Sequence, residues 1–193
     1  MPVNSDPYLY PGTNVLRNVP DLFDPDQLAA FEANATAYRL ARLRASPLPG
    51  RFDAAHLKAI HRSIFQDVFP WAGQFRTVNL AKGGHLFGLP EFIEPALTKL
   101  LSNLASEKHL SGLNPRSFSQ RAGHYLGEIN AIHAFREGNG RTQREFVREL
   151  ALTAGYWIRW TGITRQEMIE ASRRSFLSAD STLFASLIER CLR

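Results

Sequence analysis

Residues 133–144 read His-Ala-Phe-Arg-Glu-Gly-Asn-Gly-Arg-Thr-Gln-Arg, a base, a carboxylate, a glycine-rich turn and two cations within twelve positions. The imidazole of His133 ordinarily titrates near neutrality, which suits it to general-base work. Gly138, Asn139 and Gly140 all tolerate left-handed backbone. Alternating such conformations turns successive backbone N–H groups into a concave nest for an anion. A helix that opens directly after the turn aims its free amides and the positive end of its dipole at the same point. Arg141 and Arg144, three residues apart, share a face of that helix, so the seat suits a polyphosphate. Glu137 would repel such a ligand unless a divalent cation bridged the two. Mg2+ commonly combines one or two carboxylates with substrate phosphates. A Gly-Asn-Gly turn alone also serves as a plain helix connection. That plainer role leaves His133, Glu137 and the spaced arginines unexplained.

The elements that must position these groups are mostly helical. Asn114 is a suitable N-cap and Pro115 a suitable first residue for a helix over 115–134, with Phe118, Ala122, Tyr125, Ile129 and Ile132 on one apolar face. That helix delivers His133 at its C-terminal end. The next, over 140–154, buries Phe146, Leu150 and Ala154. Further helices are predicted from Asp26 to about Arg44, from an Asp53 cap through Ile64 and Phe65, and over 91–108, 164–177 and 181–191. Residues 1–25, rich in proline, read as an arm wrapped on the body. Phe75, Thr77, Val78 and Leu80 favour an extended strand. Lys82-Gly83-Gly84-His85 supplies a turn, with Leu86 and Phe87 as the returning arm of a hairpin over about 74–88.

The stretch His133-Ala134-Phe135-Arg136-Glu137-Gly138-Asn139-Gly140-Arg141 with Arg144 resembles the signature of the Fic (Fido) family, His-Pro-Phe-x-Asp/Glu-Gly-Asn-Gly-Arg-x-x-Arg. It departs at Ala134, where that family usually has proline. Asp6-Pro7-Tyr8, Trp71-Ala72-Gly73 and Ala154-Gly155-Tyr156 extend the likeness to stand-alone bacterial Fic proteins over roughly residues 6–190. The resemblance implies a mainly α fold, a Fic-type helical bundle with one short β-hairpin flap, and a single such domain over 1–193. It also implies transfer of AMP from ATP to a hydroxyl side chain of a target protein. His133 would then deprotonate that hydroxyl, and Glu137 would hold Mg2+ on the α- and β-phosphates. Gly138, Asn139 and Gly140 would form the anion nest, and Arg141 and Arg144 would bind the phosphate tail. Phe135 would be a buried anchor. Thr77, Val78, Asn79 and Leu80 would register the target segment by main-chain pairing, with Lys82 and Gly83 reaching the nucleotide. Because Ala134 replaces a residue without a reactive group, it bears on loop rigidity more than on chemistry.

Composition narrows the alternatives. The chain has 193 residues, 44% of them hydrophobic and 21% charged, which excludes a wholly disordered chain. A lone cysteine, Cys191, permits neither an internal disulfide nor a cysteine-rich zinc site. No apolar run approaches the roughly 20 residues of a membrane span. Met-Pro-Val-Asn-Ser-Asp lacks the basic and apolar parts of a signal peptide. A soluble cytoplasmic protein is the expectation. A net charge of +5, carried by nineteen arginines and four lysines, invites a nucleic-acid partner. No helix-turn-helix or finger signature accompanies it. Transfer of another nucleotide, phosphocholine or phosphate is the nearer enzymatic alternative, and the presence of Gly140 favours attack at the α-phosphate. His56, His61, His85, His109 and His124 lack metal-ligand spacing and read as surface or satisfied core residues. Trp71, Trp157 and Trp160 read as core or interface aromatics, and Tyr8 and Tyr10 as packing residues of the arm.

Control is read from an absence. Many Fic proteins carry a helix Ser/Thr-x-x-x-Glu-Gly/Asn whose glutamate pairs with the second motif arginine. None of the eleven glutamates here follows a serine or threonine by four residues. The expectation is therefore the toxin of a toxin–antitoxin pair. Its partner would be a small helical antitoxin that supplies a glutamate to Arg144.

Overall fold

Seven α-helices, one short 3-10 helix (Lys108–Leu110) and one two-stranded hairpin form the regular structure of the described residues, 6–193, in the computed structural model. Residues 1–5, which open the predicted N-terminal arm, lie outside the described residues. Short polar side chains set most helix starts. Asp24 accepts from the amides of Asp26 and Gln27 to start α1 (Pro25–Ala45), and Asp53 accepts from His56 to start α2 (Ala54–Phe65). Asn114 accepts from Ser117 at 2.9 Å and Pro115 fills the first position of α4 (Pro115–Ile132). Thr164 and Glu167 form a reciprocal capping box at α6 (Arg165–Ser178). α3 (Pro90–Ser106), α5 (Asn139–Thr153) and α7 (Thr182–Cys191) complete the set.

α4 is the central helix and packs against α3, α5, α6 and α7. Its predicted face holds, with Phe118, Ala122, Tyr125 and Ile129 buried, while Ile132 at the last turn is half-exposed. Burial of each large side chain contributes about 1.5–3 kcal/mol. α4 meets α7 closely at Gly123, where a Cβ would lie 2.7 Å from the Ala185 amide nitrogen. Only a residue without a side chain permits that approach. α1 is held on a thinner stripe, Leu28, Thr36 and Leu43, and by a two-pronged Arg39–Asp67 pair with both bonds at 2.6 Å. Within the arm before it, Arg17 N–H donates to the Tyr8 carbonyl, and the arm is fastened to the body where Val19 N–H donates to the Val68 carbonyl and Thr77 N–H to the Tyr8 hydroxyl.

The hairpin is shorter than the 74–88 span the residue pattern predicts, though its turn falls where expected. Its strands are β1 (Ala81–Lys82) and β2 (His85–Leu86), paired antiparallel around Gly83-Gly84. Residues 75–79 are not a strand of that hairpin, and Leu80 joins it only through its carbonyl, which accepts from Phe87 N–H at 2.9 Å. Their peptide groups are answered one at a time: Arg76 N–H by the Ala134 carbonyl at 2.9 Å, Thr77 N–H by the Tyr8 hydroxyl at 3.1 Å, and the Val78 carbonyl by the Arg76 guanidinium at 2.7 Å. β-branched and aromatic residues mark extended chain correctly. Which partner closes the hydrogen bonds lies elsewhere in the fold. Among the tryptophans, Trp71 is buried but Trp157 is 68% exposed, so of the two roles expected for Trp157 the core one is not met.

Candidate active site

α4 ends at His133, whose backbone is left-handed (φ 51°, ψ 59°) while its amide still bonds Ile129. A histidine held in that region is strained, and such strain persists only where surrounding contacts impose it. Here they come from Arg76. Its guanidinium donates to the carbonyls of His133 (2.8 Å), Val78 (2.7 Å), Ile132 (3.3 Å) and Gly88, joining the base of the flap to the carbonyl end of α4. A cation at a helix C-terminus also opposes the negative end of its dipole. Arg76 is 2% exposed, and nothing in its local sequence marks it out.

The loop from 134 to 138 closes on itself. The Asn139 side chain accepts from Phe135 N–H at 2.9 Å and donates to the Phe135 carbonyl at 2.7 Å. Phe135 is buried, as an anchor should be. His61 of α2 lies flat on it, with ring centroids 3.9 Å apart. Gly73 N–H donates to His61 Nδ1 at 2.8 Å, so the ring proton is on Nε2 and is donated to the Glu137 carbonyl at 3.0 Å. Burial lowers the His61 pKa to about 4, which keeps the ring neutral in this role. The expectation of a satisfied core histidine is met, and this one props the motif loop. Ala134, too, is pinned through its carbonyl by Arg76 N–H.

The anion seat differs in construction from the sequence-based expectation. Only Gly138 is left-handed (φ 80°); Asn139 and Gly140 already belong to α5. The seat is therefore a helix N-terminus behind one left-handed glycine, not a run of alternating conformations. Gly138 N–H is taken by Glu137 Oε1 at 2.8 Å. The amides of Asn139, Gly140 and Arg141 precede the first helical acceptor, Gly138 O, which binds Thr142 N–H. A Cβ on Gly140 would lie 3.2 Å from Arg144 Nη1, so the small residue leaves room for that guanidinium.

The two arginines part company. Arg141 is held by an ion pair with Glu32 of α1, by Thr36 Oγ1 at 3.1 Å and by the face of Phe65, 4.7 Å from its guanidinium carbon, and it also lies 3.9 Å from Glu137 Oε1. Arg144 has no side-chain hydrogen bond or ion pair among the described residues, and burial with the charge of Arg141 lowers its pKa. The first arginine is held in place while the second remains open to a ligand. Glu32 lies 109 residues before Arg141 and no spacing rule reaches it.

His133 Nδ1 lies 3.2 Å from the Asn130 carbonyl. A carbonyl only accepts, so Nδ1 carries the proton and Nε2 keeps its lone pair. The expected near-neutral pKa is not met. Burial chiefly, then the charges of Arg76 and Lys82, lower it to about 4. The imidazole is accordingly neutral throughout the physiological range, with Nε2 free of a proton. Glu137 has a side chain 45% exposed, and its Oε2 has no protein partner among the described residues. No group of three or more His, Cys, Asp or Glu side chains gathers as a metal cage among the described residues. One accessible carboxylate beside free helix amides fits a divalent cation shared with phosphates. Thr77 and Asn79 are exposed, Val78 and Leu80 half-buried, and Lys82 and Gly83 stand exposed at the flap tip. No helix among the described residues is long and apolar enough to cross a membrane.

The model of the Fic/DOC family matches residues 51–151 of this chain. Protein adenylyltransferase VbhT of Bartonella schoenbuchensis is 43% identical over 189 residues, covering 98% of this chain and 39% of that protein. "Probable protein adenylyltransferase y4lH" of Sinorhizobium fredii is 40% identical over 188 residues, 97% of this chain and 96% of that protein. Thus the chain spans well under half of one curated relative and almost all of the other. The crystal structure of BepC, a VirB-translocated effector of Bartonella tribocorum with bound AMPPNP, superposes with a TM-score of 0.88 at 28% identity, covering 96% of both chains.

Proposed function

The chain belongs to the Fic/DOC family, and from that premise we propose that it is a protein adenylyltransferase. The observation that carries this reading is the pairing of a His133 imidazole with a free Nε2 lone pair and an α5 N-terminus flanked by the unpaired Arg144. The reaction transfers AMP from ATP to a hydroxyl of a target protein. The hydroxyl proton passes to His133 Nε2, and the oxygen forms a bond to the α-phosphorus. The bond from that phosphorus to the bridging oxygen breaks, and pyrophosphate leaves. Free amides of Asn139, Gly140 and Arg141 face the phosphate charge without having to reorient. Arg144 takes the outer phosphates, and Arg141, braced by Glu32, keeps the helix start positive. Glu137 is the residue that would hold Mg2+, whose charge would offset that of the phosphates. Thr77 to Leu80 would pair the target segment through those of their peptide groups that Tyr8, Arg76 and Phe87 do not take, with Lys82 and Gly83 reaching the nucleotide.

Control follows from the same arginine. In this reading the protein is a toxin, and a separate small helical antitoxin delivers a glutamate to Arg144 and so blocks the phosphate site. Expression of residues 1–193 alone is expected to arrest growth of a bacterial host, and His133→Ala to relieve the arrest. Harmless expression of soluble, folded wild type would contradict the toxin assignment.

A further inference from the structure

Phe87 follows β2 directly, and its amide donates to the Leu80 carbonyl at 2.9 Å, extending the hairpin pairing by one step. Residues 81–86 are all exposed, but Phe87 turns inward. Its ring lies almost parallel to the His133 imidazole, with centroids 3.9 Å apart and planes at 11°. Phe176 of α6 packs against Phe87 at 4.8 Å. The flap thus reaches the base through one side chain, wedged between His133 and α6.

We propose that Phe87 is a positioning residue for His133, fixing the plane of the imidazole and keeping water from one of its faces, so that the base is competent only beneath a closed flap. This rests on the reading of His133 as the general base. The χ2 torsion of histidine is broad, and the single 3.2 Å bond at Nδ1 restrains it weakly. A ring stacked at van der Waals distance supplies the missing restraint, because rotation of the imidazole would drive its edge into Phe87. The charges bearing on the ring are Arg76, from the extended segment, and Lys82, from β1. α4 contributes only the Asn130 carbonyl, and α6 acts through the uncharged Phe176.

The test compares Phe87→Ala with Phe87→Tyr, which keeps the flat ring. Phe87→Ala is expected to lower kcat by about 10–100-fold, the order of loss produced by small misplacements at a reacting group. KM for ATP should hold, since Phe87 lies on the flap and not at the α5 amides. Opening one face to water favours the protonated imidazole. The His133 pKa should therefore rise from about 4 toward its ordinary 6.5, and the acid limb of kcat should move to higher pH with it. Phe87→Tyr should restore both. NMR titration of the His133 ring protons without substrate reads the shift independently of transfer. An unmoved titration in Phe87→Ala overturns the proposal even if transfer falls, as does failure of Phe87→Tyr to rescue. A moved titration in a protein whose wild type transfers nothing would sink the adenylyltransferase reading and leave the positioning role standing.

Discussion

The His133→Ala protein is expected to transfer AMP about 10²–10⁴-fold more slowly than wild type, the usual loss for a positioned general base. His133 is suited to that role by tautomer as well as by place. Its Nδ1 proton is committed to the Asn130 carbonyl, and burial keeps Nε2 unprotonated at neutral pH. A pKa of about 4 makes the imidazole a weaker base than an exposed one, so its contribution lies in position and constant availability. The alanine variant keeps the backbone carbonyl that Arg76 grips, so circular dichroism and ATP affinity should match wild type. Undiminished transfer in a natively folded variant would remove His133 from the mechanism.

Gly138→Ala is expected to damage fold and activity together. The backbone there is left-handed, which costs a residue with a side chain roughly 1–3 kcal/mol where the surroundings enforce it. The new methyl would also fall 2.2–2.3 Å from ring carbons of Phe65, a side chain fully enclosed in the core. Overpacking of that kind adds about 1–3 kcal/mol. Any relief must shift the loop that carries Glu137 or tilt the start of α5, and either movement spoils the phosphate seat. Urea denaturation should show a lowered midpoint, with transfer reduced further than the population of folded protein explains. A variant with wild-type midpoint and turnover would show that the Gly138–Phe65 contact does not constrain the loop.

Helix starts at Asp53 and Asn114 were the most legible feature of the chain, because each side chain acts on an amide three residues away; the caps at Asp24 and Thr164 emerge only from the structure. The hairpin turn at Gly83-Gly84 was legible for the same local reason. The strand expected over 75–80 pairs in the hairpin only at Leu80, because the hydrogen bonds of the residues before it go to Tyr8, Arg76 and Ala134, partners that period-2 patterning does not encode. The motif residues could be named from spacing, but their division of labour could not. Asn139 commits its side chain to Phe135, and Arg141 is held by Glu32 and Thr36. The residues that position the site, Arg76, His61, Glu32 and Phe87, act through contacts made only when distant segments meet. A buried arginine facing four carbonyls carries no signal in a one-dimensional pattern.

The position of the transferred label tests the central claim most directly. Wild-type protein should be incubated with a bacterial lysate, Mg2+ and ATP labelled at either the α- or the γ-phosphate, followed by treatment that separates label on serine, threonine or tyrosine from label bound non-covalently. Adenylyl transfer predicts covalent protein labelling from α-labelled ATP, none from γ-labelled ATP, and no labelling by the His133→Ala protein. Label arriving from the γ-phosphate, or α-label incorporated equally by the alanine variant, would contradict it.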